Sequence, residues 1–87
     1  MLEGTKTLAA IGLDRITFNP RVMGGRACIR GMRLTVSLIV NLVADGMTPA
    51  EIIKEYPELE PEDIRQAVSY AAWLASESVH TLEIPAE

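Results

Sequence analysis

Five arginines, Arg15, Arg21, Arg26, Arg30 and Arg33, stand with Lys6 in the first 33 residues, opposed only by Glu3 and Asp14, a net of +4. Residues 34–87 carry Lys54 and Arg65 against ten acids, a net of −8. The overall charge of −4 therefore conceals a basic arm placed ahead of an acidic body. Guanidinium groups pair with phosphate, so Arg21, Arg26, Arg30 and Arg33 are candidate anchors on a nucleic-acid backbone. The same charges also suit a solvated face that pairs with the acidic body of a neighbouring subunit. A second set, Arg65, Gln66 and Ser69, falls on one side of a predicted helix and offers the donors and acceptors that base edges require. Glu62 and Asp63 oppose phosphate at the end of that helix unless they point aside or pair with Arg65. Tyr70 and Trp73, with Leu82 and Ile84 further on, are candidates for a partner or dimer interface, because aromatic rings at helical spacing usually bury themselves.

Catalysis finds little support. His80 is the single histidine and has no Ser, Cys or carboxylate at a telling spacing. Cys28, in a predicted strand, suits a small buried hydrophobe. Gly24-Gly25-Arg26 lacks the Lys-Ser or Lys-Thr and the following helix of a phosphate loop. Glu58, Glu60, Glu62 and Asp63 are dense, but placement at a helix N-terminus accounts for them without a metal ion. The expectation is a protein that is not an enzyme and needs no cofactor.

The elements that position these groups are organised around Val36–Glu51. Val36, Ile39, Val40 and Val43 recur at helical spacing, flanked by Leu38 and Leu42, leaving a polar stripe of Ser37, Asn41 and Asp45. Thr35 is the expected cap and Gly46 the expected stop. Thr48-Pro49-Ala50-Glu51 is a capping box with proline at the first helical position, so a second helix starts two residues after the first stops. Ile52, Ile53 and Tyr56 face inward before Pro57 ends that helix, and Leu59 packs within the connection. A third helix opens at Glu60-Pro61-Glu62-Asp63 and runs to about Ser76, with Ile64, Ala67, Val68, Ala71, Leu74 and Ala75 as its buried face. This is a helix-turn-helix arrangement in a mainly α, three-helix body. Ahead of it, Arg15–Phe18 and Arg26–Arg30 predict a short β element with turns at Asn19-Pro20 and Gly24-Gly25, Arg26, Cys28 and Arg30 sharing one side. Residues 1–14 show no sustained period and are expected to fray or form a short docking helix; 15–78 form the single domain; 79–87 alternate loosely as a tail that could add a strand elsewhere.

Eighty-seven residues, 48% hydrophobic and 23% charged, make one globular domain with a small core. A helix as apolar as Val36–Val43 then predicts a dimer. One cysteine, no apolar leader and no run near the ~20 residues a bilayer crossing needs predict a cytoplasmic protein outside the membrane.

Arg21-Val22-Met23-Gly24-Gly25-Arg26-Ala27-Cys28-Ile29-Arg30-Gly31-Met32-Arg33-Leu34-Thr35-Val36, Gly46-Met47-Thr48-Pro49-Ala50-Glu51-Ile52-Ile53, Tyr56-Pro57-Glu58-Leu59 and Glu62-Asp63-Ile64 closely resemble the small prokaryotic proteins grouped as domain of unknown function 433, over about residues 15–76. Ala27 departs from the proline usual in that family, and Met32 from the threonine. The resemblance implies a homeodomain-like or winged-helix-like body behind a short β element. It also implies a VapB-type antitoxin of a type II toxin-antitoxin pair, with a PIN-like ribonuclease toxin as partner and operator DNA as a second ligand. The alternative expectation is a homodimeric protein-interaction module that does not bind DNA.

Overall fold

The computed structural model describes residues 6–82, with side chains described as far as residue 76. Helix α1 (Val36–Ala44) starts where the Thr35 hydroxyl accepts from the Leu38 amide, 3.1 Å away. It closes on Gly46, whose φ of +96° lets its amide donate to Val43 and lets the Met47 amide donate to Leu42. Those two bonds satisfy carbonyls that a helix end otherwise leaves open. The chain then enters α2 (Pro49–Glu55) through a complete capping box: the Glu51 carboxylate accepts from the Thr48 amide at 2.8 Å and Thr48 Oγ1 from the Glu51 amide at 3.2 Å. Helix α3 (Pro61–Leu82) is the longest element.

The positive φ at Gly46 makes a prediction. A Cβ there would meet nothing within 4 Å, so Gly46→Val would act through the backbone alone. An L-residue in the left-handed region costs about 1–2 kcal/mol, and a β-branched one sits at the upper end. The expected melting temperature falls by about 8 °C or more in a thermal scan, and an unchanged value would mean that this corner does not hold the helices.

In front of the helices lies an antiparallel sheet in the order β1-β2-β3, formed by β1 (Lys6–Leu8), β2 (Leu13–Phe18) and β3 (Cys28–Ile29). Ile16 pairs with Ile29 and Thr17 with Cys28, which places both isoleucines, fully buried, against the helices. Leu13, Val36, Ile39, Ile52, Leu59, Ile64 and Ala67 complete the core, so each helix contributes at least one residue with 4% exposure or less. The result is a mainly α, helix-turn-helix-like three-helix body behind a small sheet.

Four local expectations are corrected. Residues 6–8 are an edge strand pairing with β2, because Thr7 and Leu8 find partners in Thr17 and Leu13 across a bulge. Arg26 and Arg30 do not share a strand face with Cys28: β3 is only two residues long, and Arg30 turns into the left-handed region at φ +46°. On α3, Val68, Leu74 and Ala75 are exposed instead of buried, while Asp63 and Gln66 are buried in their place. Finally, α3 passes Ser76 and continues through residues 79–82, expected to belong to the tail; Ile84 and the rest of 83–87 lie outside the described residues.

Candidate functional site

Asp63 is the electrostatic centre of the molecule. It sits at the third position of α3 with no exposed side-chain surface, and each of its oxygens is occupied. Arg30 grips it with two bonds, Nε to Oδ1 at 3.0 Å and Nη2 to Oδ2 at 2.8 Å. Arg15 Nη1 donates to Oδ1 at 3.0 Å and to Glu60 Oε1 at 2.6 Å. The Glu60 amide donates to Oδ2 at 2.8 Å, the backward reach by which a carboxylate at this position caps a helix. Burial pushes the Asp63 carboxyl up, but the bonds from Arg30, the Glu60 amide and Arg15 together outweigh it and hold the group below its ordinary range. Glu60, then Asp63, raise the Arg15 guanidinium, and Asp63 raises that of Arg30. Arg30 also donates to the Glu58 carbonyl, so β2, the loop after β3 and the start of α3 are tied at one point.

Gln66, one turn further on, extends the tie. Its side-chain oxygen accepts from the Arg15 amide at 2.8 Å, and its nitrogen donates to Asp14 and Glu62 at 3.0 and 2.9 Å. Only 3% exposed, it is turned towards the sheet and away from the outward face expected for it. Arg65 stays outside but is held in a two-pronged pair with Glu62, at 2.8 and 2.6 Å. Arg65, then Gln66, are the chief causes that bring the Glu62 carboxyl down to about 2. Ser69 is half-buried in a shallow depression with Ile11, Gly12, Leu13, Arg65 and Trp73.

The basic arm thus divides in two. Arg15 and Arg30 are committed to Asp63, whereas Arg21, Arg26 and Arg33 are exposed and have no carboxylate partner among the described residues. Arg21 and Arg26 flank the helical turn Met23–Gly25 along the chain, and Arg33 reaches back to it at Met23. Arg33 Nη1 lies 4.0 Å from the Met23 sulfur, and the positive charges of Arg26 and Arg33 both oppose the burial that raises the Cys28 thiol. Three free guanidinium groups around one turn are chemically suited to phosphate.

A second feature is apolar. Tyr70 stacks on Trp73 at 6.3 Å between ring centroids and meets Phe18 edge-on at 6.0 Å, so the sheet supports the first ring while Trp73 stays 44% exposed. Leu74 is equally exposed and borders a groove of about 370 Å³ between α1 and α3, lined also by Arg26, Val36, Val40, Tyr70 and Ala71. The side chain of Leu82 is outside those described. Among the described residues no group of His, Cys, Asp and Glu has metal-binding geometry, and no helix is long and apolar enough to cross a membrane.

Sequence reasoning did not find the Asp63–Gln66 tie. The one local signal was an acid three residues after the cap position; apart from Glu60 and Glu62, the partners of Asp63 and Gln66 lie 33 to 52 residues away in the chain.

Residues 16–71 match the family described as "Protein of unknown function (DUF433)". The chain is 32% identical over 62 residues to the uncharacterized protein y4eO of Sinorhizobium fredii, covering 71% of this chain but only 28% of that relative's length. No solved structure matches.

Proposed function

The chain belongs to the family described as protein of unknown function DUF433, and from that premise we propose that it is the antitoxin of a type II toxin-antitoxin pair. In this reading it is a homodimer that binds a PIN-like ribonuclease toxin through the exposed apolar end of α3 and operator DNA through its basic arm. It acts by binding, with no catalytic step of its own. The observation that carries the DNA part is the division of the arginines: among the described residues Arg21, Arg26 and Arg33 have no carboxylate partner, while Arg15, Arg30 and Arg65 are each held by one. Phosphate contact belongs to the turn at Met23–Gly25. Base reading by α3 loses support, because Gln66 is buried and Arg65 is held by Glu62; Ser69 alone keeps a side chain without a described bond. That observation also favours the second reading, a homodimeric interaction module that binds no DNA.

The test is a gel shift of the purified protein on its own upstream DNA over a range of salt, with and without the product of the adjacent reading frame. A salt-sensitive, sequence-selective shift strengthened by the neighbour is the expected result. No shift at low salt with a stable complex to the neighbour would select the second reading, and absence of both would remove the antitoxin assignment.

A further inference from the structure

The turn after β2 brings a thioether to the surface beside a cation. Met23 is a non-glycine residue in the left-handed region, at φ +51°, followed by Gly24 and Gly25 at +68° and +86°. Its side chain stands outward: of the three methionines among the described residues it is the exposed one, at 36%, whereas Met32 and Met47 are half-buried against the core. A Cβ placed on Gly24 would meet nothing within 4 Å, so the turn is open to small molecules from solvent. Arg33 Nη1 lies 4.0 Å from the Met23 sulfur, and no carboxylate among the described residues holds this guanidinium elsewhere. A thioether is a weak acceptor, so the contact leaves Arg33 available to a phosphate.

We propose that Met23 is an oxidation site whose sulfoxide captures Arg33. The oxidant is hydrogen peroxide. A sulfur lone pair attacks one peroxide oxygen, the O–O bond breaks, and the departing hydroxide takes up the proton to leave as water; the sulfur is oxidised to the sulfoxide by the two electrons that reduce the peroxide. An apolar tip thereby becomes a polar one with a strong acceptor oxygen. An oxygen bonded to a sulfur already 4.0 Å from Nη1 comes within the roughly 2.7–2.9 Å of a charge-assisted hydrogen bond without moving either main chain. Arg33 is then directed to its neighbour instead of outward. The consequence for DNA rests on the reading above, in which Arg21, Arg26 and Arg33 hold phosphate: oxidation of Met23 withdraws one of the three contacts, and reduction of the sulfoxide restores it.

Treatment of the full chain with hydrogen peroxide, followed by peptide mass mapping and by heteronuclear NMR of the arginine side chains, tests the proposal. Met23 is expected to gain one oxygen before Met32 and Met47 do. The Arg33 guanidinium resonances are expected to shift in step and to return when methionine sulfoxide reductases A and B remove the oxygen. On duplex DNA the slope of log affinity against log salt is expected to become shallower by about 0.9, with affinity down about tenfold at about 0.1 M salt. Met23→Leu, which lacks the sulfur, is expected to keep one slope before and after peroxide. Met23→Gln, whose side-chain carbonyl stands in for the sulfoxide oxygen, is expected to bind DNA like the oxidised chain with no peroxide added. Oxidation of Met32 or Met47 at the same rate, Arg33 resonances that do not move, or DNA binding that survives Met23 oxidation unchanged would each overturn the proposal. Failure of the DNA reading is seen separately: Met23 oxidised first and Arg33 shifted, in a chain that binds no DNA even when reduced, keeps this site and removes its consequence.

Discussion

Replacing Asp63 by Ala is expected to lower the unfolding free energy by roughly 3 kcal/mol in urea titration, the low end of the range for breaking a buried ion pair. The low end applies because Arg15 and Arg30, with 27% and 36% of their side chains exposed, can turn to water once the carboxylate is gone. Against a total of roughly 5–10 kcal/mol for a domain of this size, that is a large share. Asp63→Asn keeps the shape and removes the charge, and an amide nitrogen would face donors from Arg30 and the Glu60 backbone. It is therefore expected to cost nearly as much as Ala. A small loss for Asn beside a large one for Ala would show that volume, not charge, is what the site requires.

The same carboxylate gives the protein an acid limit. Its folded value lies below the ordinary 3.8, so the stability it contributes is fully present above about pH 4 and is lost as the pH falls through the folded value. Below about pH 4, wild-type stability is expected to fall more steeply than that of Asp63→Ala, the two curves converging at the acid end. Glu62, held low by Arg65 and then Gln66, is present in both proteins, so the difference between the curves isolates Asp63.

What was legible in the sequence was local. Thr35, Gly46 and the Thr48–Glu51 box each act within three or four residues, and each helix boundary they mark is where the structure has it. Leu59, placed by its position in a short connection, is 3% exposed. The failures concern partners distant in the chain. Apolar periodicity assigned Leu74 and Ala75 to the core because it cannot register where the body ends and the helix continues. Gln66 seemed outward because an amide is polar, yet the β2 backbone at Arg15 offers a donor that no helical pattern reveals. Arg30 looked equivalent to Arg26 by spacing until the left-handed turn at Arg30 directed it towards Asp63. Charge counting found the basic arm; only the fold separates its structural arginines from its free ones.

That separation decides how the arm should be tested. Changing Arg26 and Arg30 together would confuse two effects, since Arg30→Ala loosens the Asp63 tie whatever the ligand. The triple substitution of Arg21, Arg26 and Arg33 by Ala touches three exposed side chains without a described carboxylate partner, so the melting temperature is expected to change little. If each guanidinium neutralises one phosphate, the slope of log affinity against log salt becomes shallower by about 2.7, from ~0.9 per contact on duplex DNA. At about 0.1 M salt the same counterion release is worth nearly one decade per contact, so affinity should fall by two to three orders of magnitude. Arg30→Ala is expected to do the reverse, lowering stability while leaving the slope within one contact of wild type, and Arg65→Ala should move neither strongly because Glu62 already neutralises it. A triple variant with wild-type slope and affinity would move the phosphate contacts off the Met23–Gly25 turn. A slope that falls for Arg30→Ala as much as for the triple would mean that DNA competes with Asp63 for that arginine, and ligand binding would then have to loosen the contact between the sheet and α3.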